Sequence, residues 1–306
     1  MKNLILFFSL ISALTFSQVQ TYSETDIRIS NWIDGSLIVP NSGSDQLAII
    51  IGDSGPTNRD GNQNFQKSNN LKKLALQLAN KDIATFRYDK RIVKQIKMNS
   101  LDPKIKFDDF VSDALDVVKY FKTKKEFKNI YIIGHGQGSL IGMLAAKEHV
   151  DGLISLAGAG QSIDAVVIDQ VQKTAPMFTE DTKRVFDILR SGQTTMDFPP
   201  ALASVFDLSV QKFMTSWMKY DPSVVIKDLK IPVLIINGTK DLQVETAEVE
   251  LLHKANEKSE LKLIEKMNHV LFIIEGDAQE NAKSYNDHNG KISEELVKNI
   301  VDFIKK

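Results

Sequence analysis

The sequence predicts an α/β protein with a mostly parallel central sheet, helices on both faces and a helical insertion. Three observations carry this. From residue 71 onward, apolar strand-sized runs alternate with amphipathic helices, the pattern of a parallel sheet joined by helical crossovers. Runs such as Leu47-Ala48-Ile49-Ile50-Ile51 are apolar on both faces, as expected of strands covered on both sides. A strand, Asn129 to Ile133, runs through a Gly-flanked turn straight into a helix, Ser139 to Ala146.

In chain order, Glu24 to Ser30 and Gly35 to Val39 read as two strands of a hairpin with a DG turn. The buried run Leu47 to Ile51 follows. Leu71 to Ala79 is an amphipathic helix with Leu71, Leu74, Ala75 and Leu78 on one face, and Ile83 to Tyr88 is a strand. Phe107 to Phe121 is a helix that turns Phe110, Ala114, Val117, Val118 and Phe121 inward. After the 129–146 unit, Gly152 to Ala157 is another strand. Residues 161–222 contain helical stretches (163–173, 179–189, 200–217) and bulky apolar residues, among them Phe186, Phe206 and Trp217, but no strand. A cap over 161–222 is therefore expected, with the core formed by 18–160 and 223–306. Alternation resumes with strand Val233 to Asn237, helix Glu245 to Ala255, strand Leu261 to Glu265 and a last helix, Glu294 to Ile304. The polar stretch Gly276 to Lys291 reads as a loop.

Composition narrows the function classes. The chain has 306 residues, 42% hydrophobic and 25% charged, with a formal net charge of −1. That balance gives no electrostatic case for nucleic acid or an anionic membrane. The absence of cysteine excludes disulfides, thiolate metal sites and a cysteine nucleophile. Met1-Lys2-Asn3 and the apolar run Leu4 to Phe16 read as a signal peptide over 1–17, with Thr15 and Ser17 placed for cleavage before Gln18. The run is short of the ~20 residues that span a bilayer. An exported chain, periplasmic or secreted and without a stable anchor, is expected.

The turn Gly134-His135-Gly136-Gln137-Gly138 has the form of a nucleophile elbow. Its central residue normally takes a positive φ, at a cost of about 1–3 kcal/mol for an ordinary side chain. Here that residue is Gly136, which escapes the strain and carries no Oγ. Ser139, three residues on in the first helical turn, should point away. An acid and a base belong later in the chain, at strand ends. Asp241 follows the strand Val233 to Asn237, and His269 follows the strand ending at Glu265, where open α/β sheets gather their active sites. Alone, Asp241 reads as a cap for the helix near Glu245 and His269 as a loop histidine. Together and in this order they read as the acid and base of a triad. An oxyanion hole would use the N–H of Gln137 and one from the loop Gly52 to Asn62, with Ser54 the candidate. His135 reads as packing beside the turn. His149, His253 and His288 have no carboxylate at metal spacing, so neither metal nor cofactor is expected.

With these motifs in view, the sequence resembles exported bacterial esterases and serine-aminopeptidase-like hydrolases of the α/β-hydrolase superfamily. Their G-S-G-P-x-D-R-D-G-N loop is nearly reproduced by Asp53 to Asn62, with Asp53 for the first Gly and Asn58 for the first Asp. Their Y-D-K-R-G is matched by Tyr88 to Arg91, with Ile92 for the Gly, and G-H-S-Q-G-S by Gly134 to Ser139 except at Gly136. The resemblance spans essentially the whole mature chain. It implies the α/β-hydrolase fold and hydrolysis of small acyl substrates through a serine at 136, with Asp241 and His269 completing the triad. Carboxylic esters are expected ahead of amides, and the aromatic and methionine residues of the cap suggest an apolar acyl or aryl group. With Gly136 in the nucleophile's place, the chain is expected to be inactive or nearly so. The alternative is a ligand-binding pseudoenzyme of the same fold.

Overall fold

The computed structural model describes residues 21–147 and 150–306. The N-terminal stretch read as a signal peptide, and His149, lie outside the described residues. In chain order the elements are β1 (Tyr22–Arg28), β2 (Asp34–Pro40), β3 (Gln46–Ile51), α1 (Asn70–Ala79), β4 (Ala84–Tyr88), α2 (Arg91–Lys97), α3 (Phe107–Lys124), β5 (Asn129–His135), α4 (Gln137–Ala145) and β6 (Gly152–Leu156). A helical segment follows: α5 (Ile163–Thr174), α6 (Thr179–Arg190), α7 (Ala203–Phe206), α8 (Leu208–Trp217) and α9 (Pro222–Lys227). The chain then continues with β7 (Val233–Gly238), α10 (Thr246–Ala255), β8 (Glu260–Ile264), α11 (Ala278–Ser284) and α12 (Glu294–Ile304).

The eight strands form one sheet in the order β1-β2-β4-β3-β5-β6-β7-β8. β1, β2 and β4 pair antiparallel at one edge, and every pairing from β4 onward is parallel. Alternation along β3 builds both halves of the core. Leu47, Ile49 and Ile51 pack with α3, α4, α9 and α10 on one face, while Ala48 and Ile50 pack with α1 and α12 on the other. Both faces are therefore dry, which is why β3, β5, β6 and β7 are mostly apolar. Among the described residues no helix is long and apolar enough to cross a membrane.

The helical segment between β6 and β7 has a small core of its own, made by Val185, Phe186, Leu189, Leu202, Phe206 and Met214. The stretch expected as one helix over 200–217 is broken. A 3₁₀ turn (Pro200–Leu202) leads into α7, and Asp207 then leaves helical geometry to cap α8 by accepting from the Ser209 N–H. Three further details depart from the sequence reading. The first hairpin turns at residues 30–33, and Asp34-Gly35 lies inside β2, where a Cβ on Gly35 would run into the Phe86 ring. Residues after Lys90 form α2, which accommodates Ile92. The loop assigned to 276–291 contains α11, opened by Asp277 accepting from the Gln279 and Glu280 N–H groups.

Candidate active site

β5 ends at His135, and the chain turns at once into α4. At the turn Gly136 has φ 53° and ψ −119°, a conformation that costs a side chain strain and glycine almost none. The flanking glycines answer to close backbone approach. A Cβ on Gly134 would overlap the carbonyl of Gly138, and one on Gly138 would overlap that of Ile51. Ser139 points into the sheet, its Oγ 2.6 Å from Ser155 Oγ and buried, so it offers no hydroxyl at the turn.

Asp241, three residues past the end of β7, and His269, in the turn after β8, are brought together at the same end of the sheet. His269 Nδ1 lies 2.8 Å from Asp241 Oδ2. Asp241 is also held by its other oxygen, which accepts from the N–H groups of Gln243 at 2.8 Å and Val244 at 2.9 Å. It thus orders the turn before α10 and orients the imidazole together. His135 packs behind His269, with ring centroids 4.7 Å apart, and donates Nε2–H to the His269 carbonyl at 2.8 Å.

The other face of His269 meets a residue that sequence reasoning did not place in the site. Asp53, in the loop after β3, has Oδ2 3.1 Å from His269 Nε2 and accepts the Gln137 N–H on Oδ1 at 2.9 Å. A Cβ built on Gly136 would run into that carboxylate, far inside contact distance. Asp53 thus stands where an elbow side chain would project. The imidazole, 3% exposed, lies between two carboxylates, and both its nitrogens must carry protons to donate to both. The electrostatics agree. Burial opposes charge on His269, but Asp241 and Asp53 more than offset it and raise its pKa to about 10. Burial alone would raise Asp53. The hydrogen bond and charge of His269, with smaller contributions from His135 and the Gln137 N–H, instead hold its carboxyl far below the usual carboxylate range. His135 is pushed down by burial and then by the charge of His269.

Lys90 is the second residue that sequence reasoning quoted only as part of a motif. Its buried Nζ donates to the Asp53 carbonyl at 2.8 Å and to Gln137 Oε1 at 2.6 Å, and lies 4.7 Å from the centre of the Phe110 ring. It ties three loops together, those after β3, β4 and β5. Burial lowers its pKa to about 7, opposed in part by the Asp53 charge. Arg59 strengthens the same seam through the Asp89 carboxylate, which accepts its backbone N–H at 2.8 Å and its guanidinium at 3.0 Å. Ser54 sits beside Asp53, its carbonyl accepting from Thr57 Oγ1 at 2.7 Å and Gln63 Nε2 at 3.0 Å.

Among the described residues, Asp53, His135 and His269 offer donor atoms within 4.8 Å of one another. As arranged they do not suit a cation. His135 uses Nε2–H on a carbonyl, both His269 nitrogens face carboxylates, and the Lys90 amine lies against the Asp53 backbone.

Sheet order, the Gly-flanked turn with a positive-φ centre, and an Asp–His pair at the following strand ends together define the α/β-hydrolase fold. No protein-family model matches the chain. The chain is similar to esterase EstD of Thermotoga maritima, 25% identical over 268 residues that cover 84% of this chain and 62% of EstD. Among solved structures it is similar to Est1E from Butyrivibrio proteoclasticus (TM-score 0.58, 18% identity, 92% of this chain and 99% of that one). It is also similar to a lipase-esterase related protein from Clostridium acetobutylicum (TM-score 0.52, 17% identity, 93% and 100%).

Proposed function

We propose that this chain is an esterase-type α/β hydrolase in design, built for small carboxylic esters ahead of amides, whose own turnover is absent or nearly so. The observation that carries this reading is Gly136 at the positive-φ centre of the elbow, beside an intact His269–Asp241 pair. With a serine at 136, Oγ would attack the ester carbonyl. A neutral His269 would take the Oγ proton and return it to the leaving alcohol, with Asp241 orienting the ring. The N–H groups of Gln137 and Ser54 would hold the developing oxyanion. Water would then hydrolyse the acyl-enzyme by the same route. Gly136 removes the first step.

Purified chain is expected to hydrolyse p-nitrophenyl acetate or butyrate only weakly. Sites stripped of their nucleophile retain up to ~10³–10⁴-fold over water through binding and the oxyanion hole. Here Asp53 occupies one of those donors, so the rate should fall below that range. A fluorophosphonate probe should leave the chain unlabelled. Rapid turnover with covalent labelling would overturn the reading. The second reading, a ligand-binding protein of the same fold, draws on Gly136, which leaves the elbow without an Oγ for turnover.

A further inference from the structure

Resting on the esterase reading, we propose that Asp53 and Gly136 are a matched pair, and that Asp53 is a built-in carboxylate ligand of the acyl site. It fills three places at once. Its carboxylate lies in the volume of an elbow side chain, Oδ1 takes the Gln137 N–H, and Oδ2 takes the Nε2 of His269. One oxygen on an oxyanion donor and one on the base is how the acid product of ester hydrolysis would sit.

Three consequences follow for the chemistry. A serine at 136 has no room for its Cβ unless Asp53 moves. Asp53 is not a loose end: His269 and the Gln137 N–H fix its carboxylate, and Lys90 Nζ fixes its carbonyl at 2.8 Å. Second, an imidazole protonated on both nitrogens has no lone pair with which to accept a proton from Oγ. Third, the Gln137 N–H is already used, so a substrate oxyanion would find one donor fewer. The site is therefore closed by two residues, and restoring serine alone does not open it.

Asp53 could be imagined as a nucleophile in its own right. Its oxygen would bond to the ester carbonyl carbon and form a mixed anhydride. The departing alkoxide would take the Nε2 proton of His269, and water, giving a proton back to His269, would then cleave the anhydride. That oxyanion would need the same Gln137 N–H that Asp53 holds, and a carboxylate paired with an imidazolium and an N–H is a weak nucleophile. The geometry favours an occupant.

The test compares the chain as given with Gly136→Ser, Asp53→Gly and the double variant Asp53→Gly/Gly136→Ser. A fluorophosphonate probe should label only the double variant. Its rate on p-nitrophenyl butyrate should exceed that of either single variant by on the order of 10²-fold or more. Packing is read separately by denaturant midpoints. Gly136→Ala should lower the midpoint in the chain as given, and by clearly less in the Asp53→Gly background. Equal cost in both backgrounds, or labelling and turnover of Gly136→Ser matching the double variant, would overturn the proposal. So would turnover by the chain as given that Asp53→Gly abolishes. Relief of the midpoint loss with an unlabelled, inert double variant would uphold the placement of Asp53 and sink the esterase reading instead.

Discussion

Replacing His269 by alanine is expected to destabilise the folded chain by about 3–5 kcal/mol, the range for breaking a buried ion pair from one side. The substitution removes the one group placed between Asp53 and Asp241 and leaves two carboxylates facing a gap, with side chains 13% and 1% exposed. In an active hydrolase the equivalent histidine is needed mainly for rate. Here it is needed to hold two loops and a strand end together. Urea unfolding near pH 6 measures this, and the Asp53→Ala/His269→Ala double variant should recover part of the loss by removing one stranded charge. A loss under about 1 kcal/mol for His269→Ala would mean the imidazole is not ion-paired on both sides.

The second large effect is its pH dependence. The folded-state pKa of His269, about 10, lies above its ordinary value of 6.5. Its contribution is therefore full below about pH 6.5, declines as pH rises, and is gone above about pH 10. The steepest slope for one proton is about 1.4 kcal/mol per pH unit. Lys90 runs the other way. Its pKa falls to about 7 from 10.5, so the folded state releases that proton first and stability rises with pH between those values. Asp53, held low by His269, adds stability above about pH 4 that is lost on acidification. Because Lys90 and His269 oppose each other, the raw profile understates both. The difference in unfolding free energy between the chain and His269→Ala isolates the imidazole. That difference should shrink from pH 6.5 to pH 10, and one that held constant or grew would contradict the assignment.

How much of this was legible in the sequence depends on the range of the interactions. β5, the elbow and α4 are readable because so sharp a turn demands glycines at 134 and 138, close packed on the Gly138 and Ile51 carbonyls, with an apolar strand before them. Asp241 and His269 are readable because each follows a strand-sized run, and strand ends in such a sheet converge. Short elements escape such reading. α2 and α11 have 7 residues each, too few for a helical period. The break between α7 and α8 is hidden because its apolar residues keep helical spacing across Asp207. The site itself hides its most telling member. Asp53 and Gly136 each read as a separate departure from a motif, 83 positions apart by number. Only the parallel pairing of β3 with β5 brings the two loops together, so that the carboxylate of one fills the gap left by the other. Lys90 shows the same limit, since a lysine in a motif gives no sign that it will be buried against two other loops.

The charge on His269 decides between a site held shut by Asp53 and one merely lacking a nucleophile. ¹⁵N-resolved spectra of the histidine ring at pH 8 read it directly. His269 should show both nitrogens protonated in the chain as given, and in Asp53→Asn should lose its second ring proton at a clearly lower pH, with Asp241 still raising it. A neutral His269 at pH 8 in the chain as given, unchanged by Asp53→Asn, would contradict the placement of Asp53 in the nucleophile's seat.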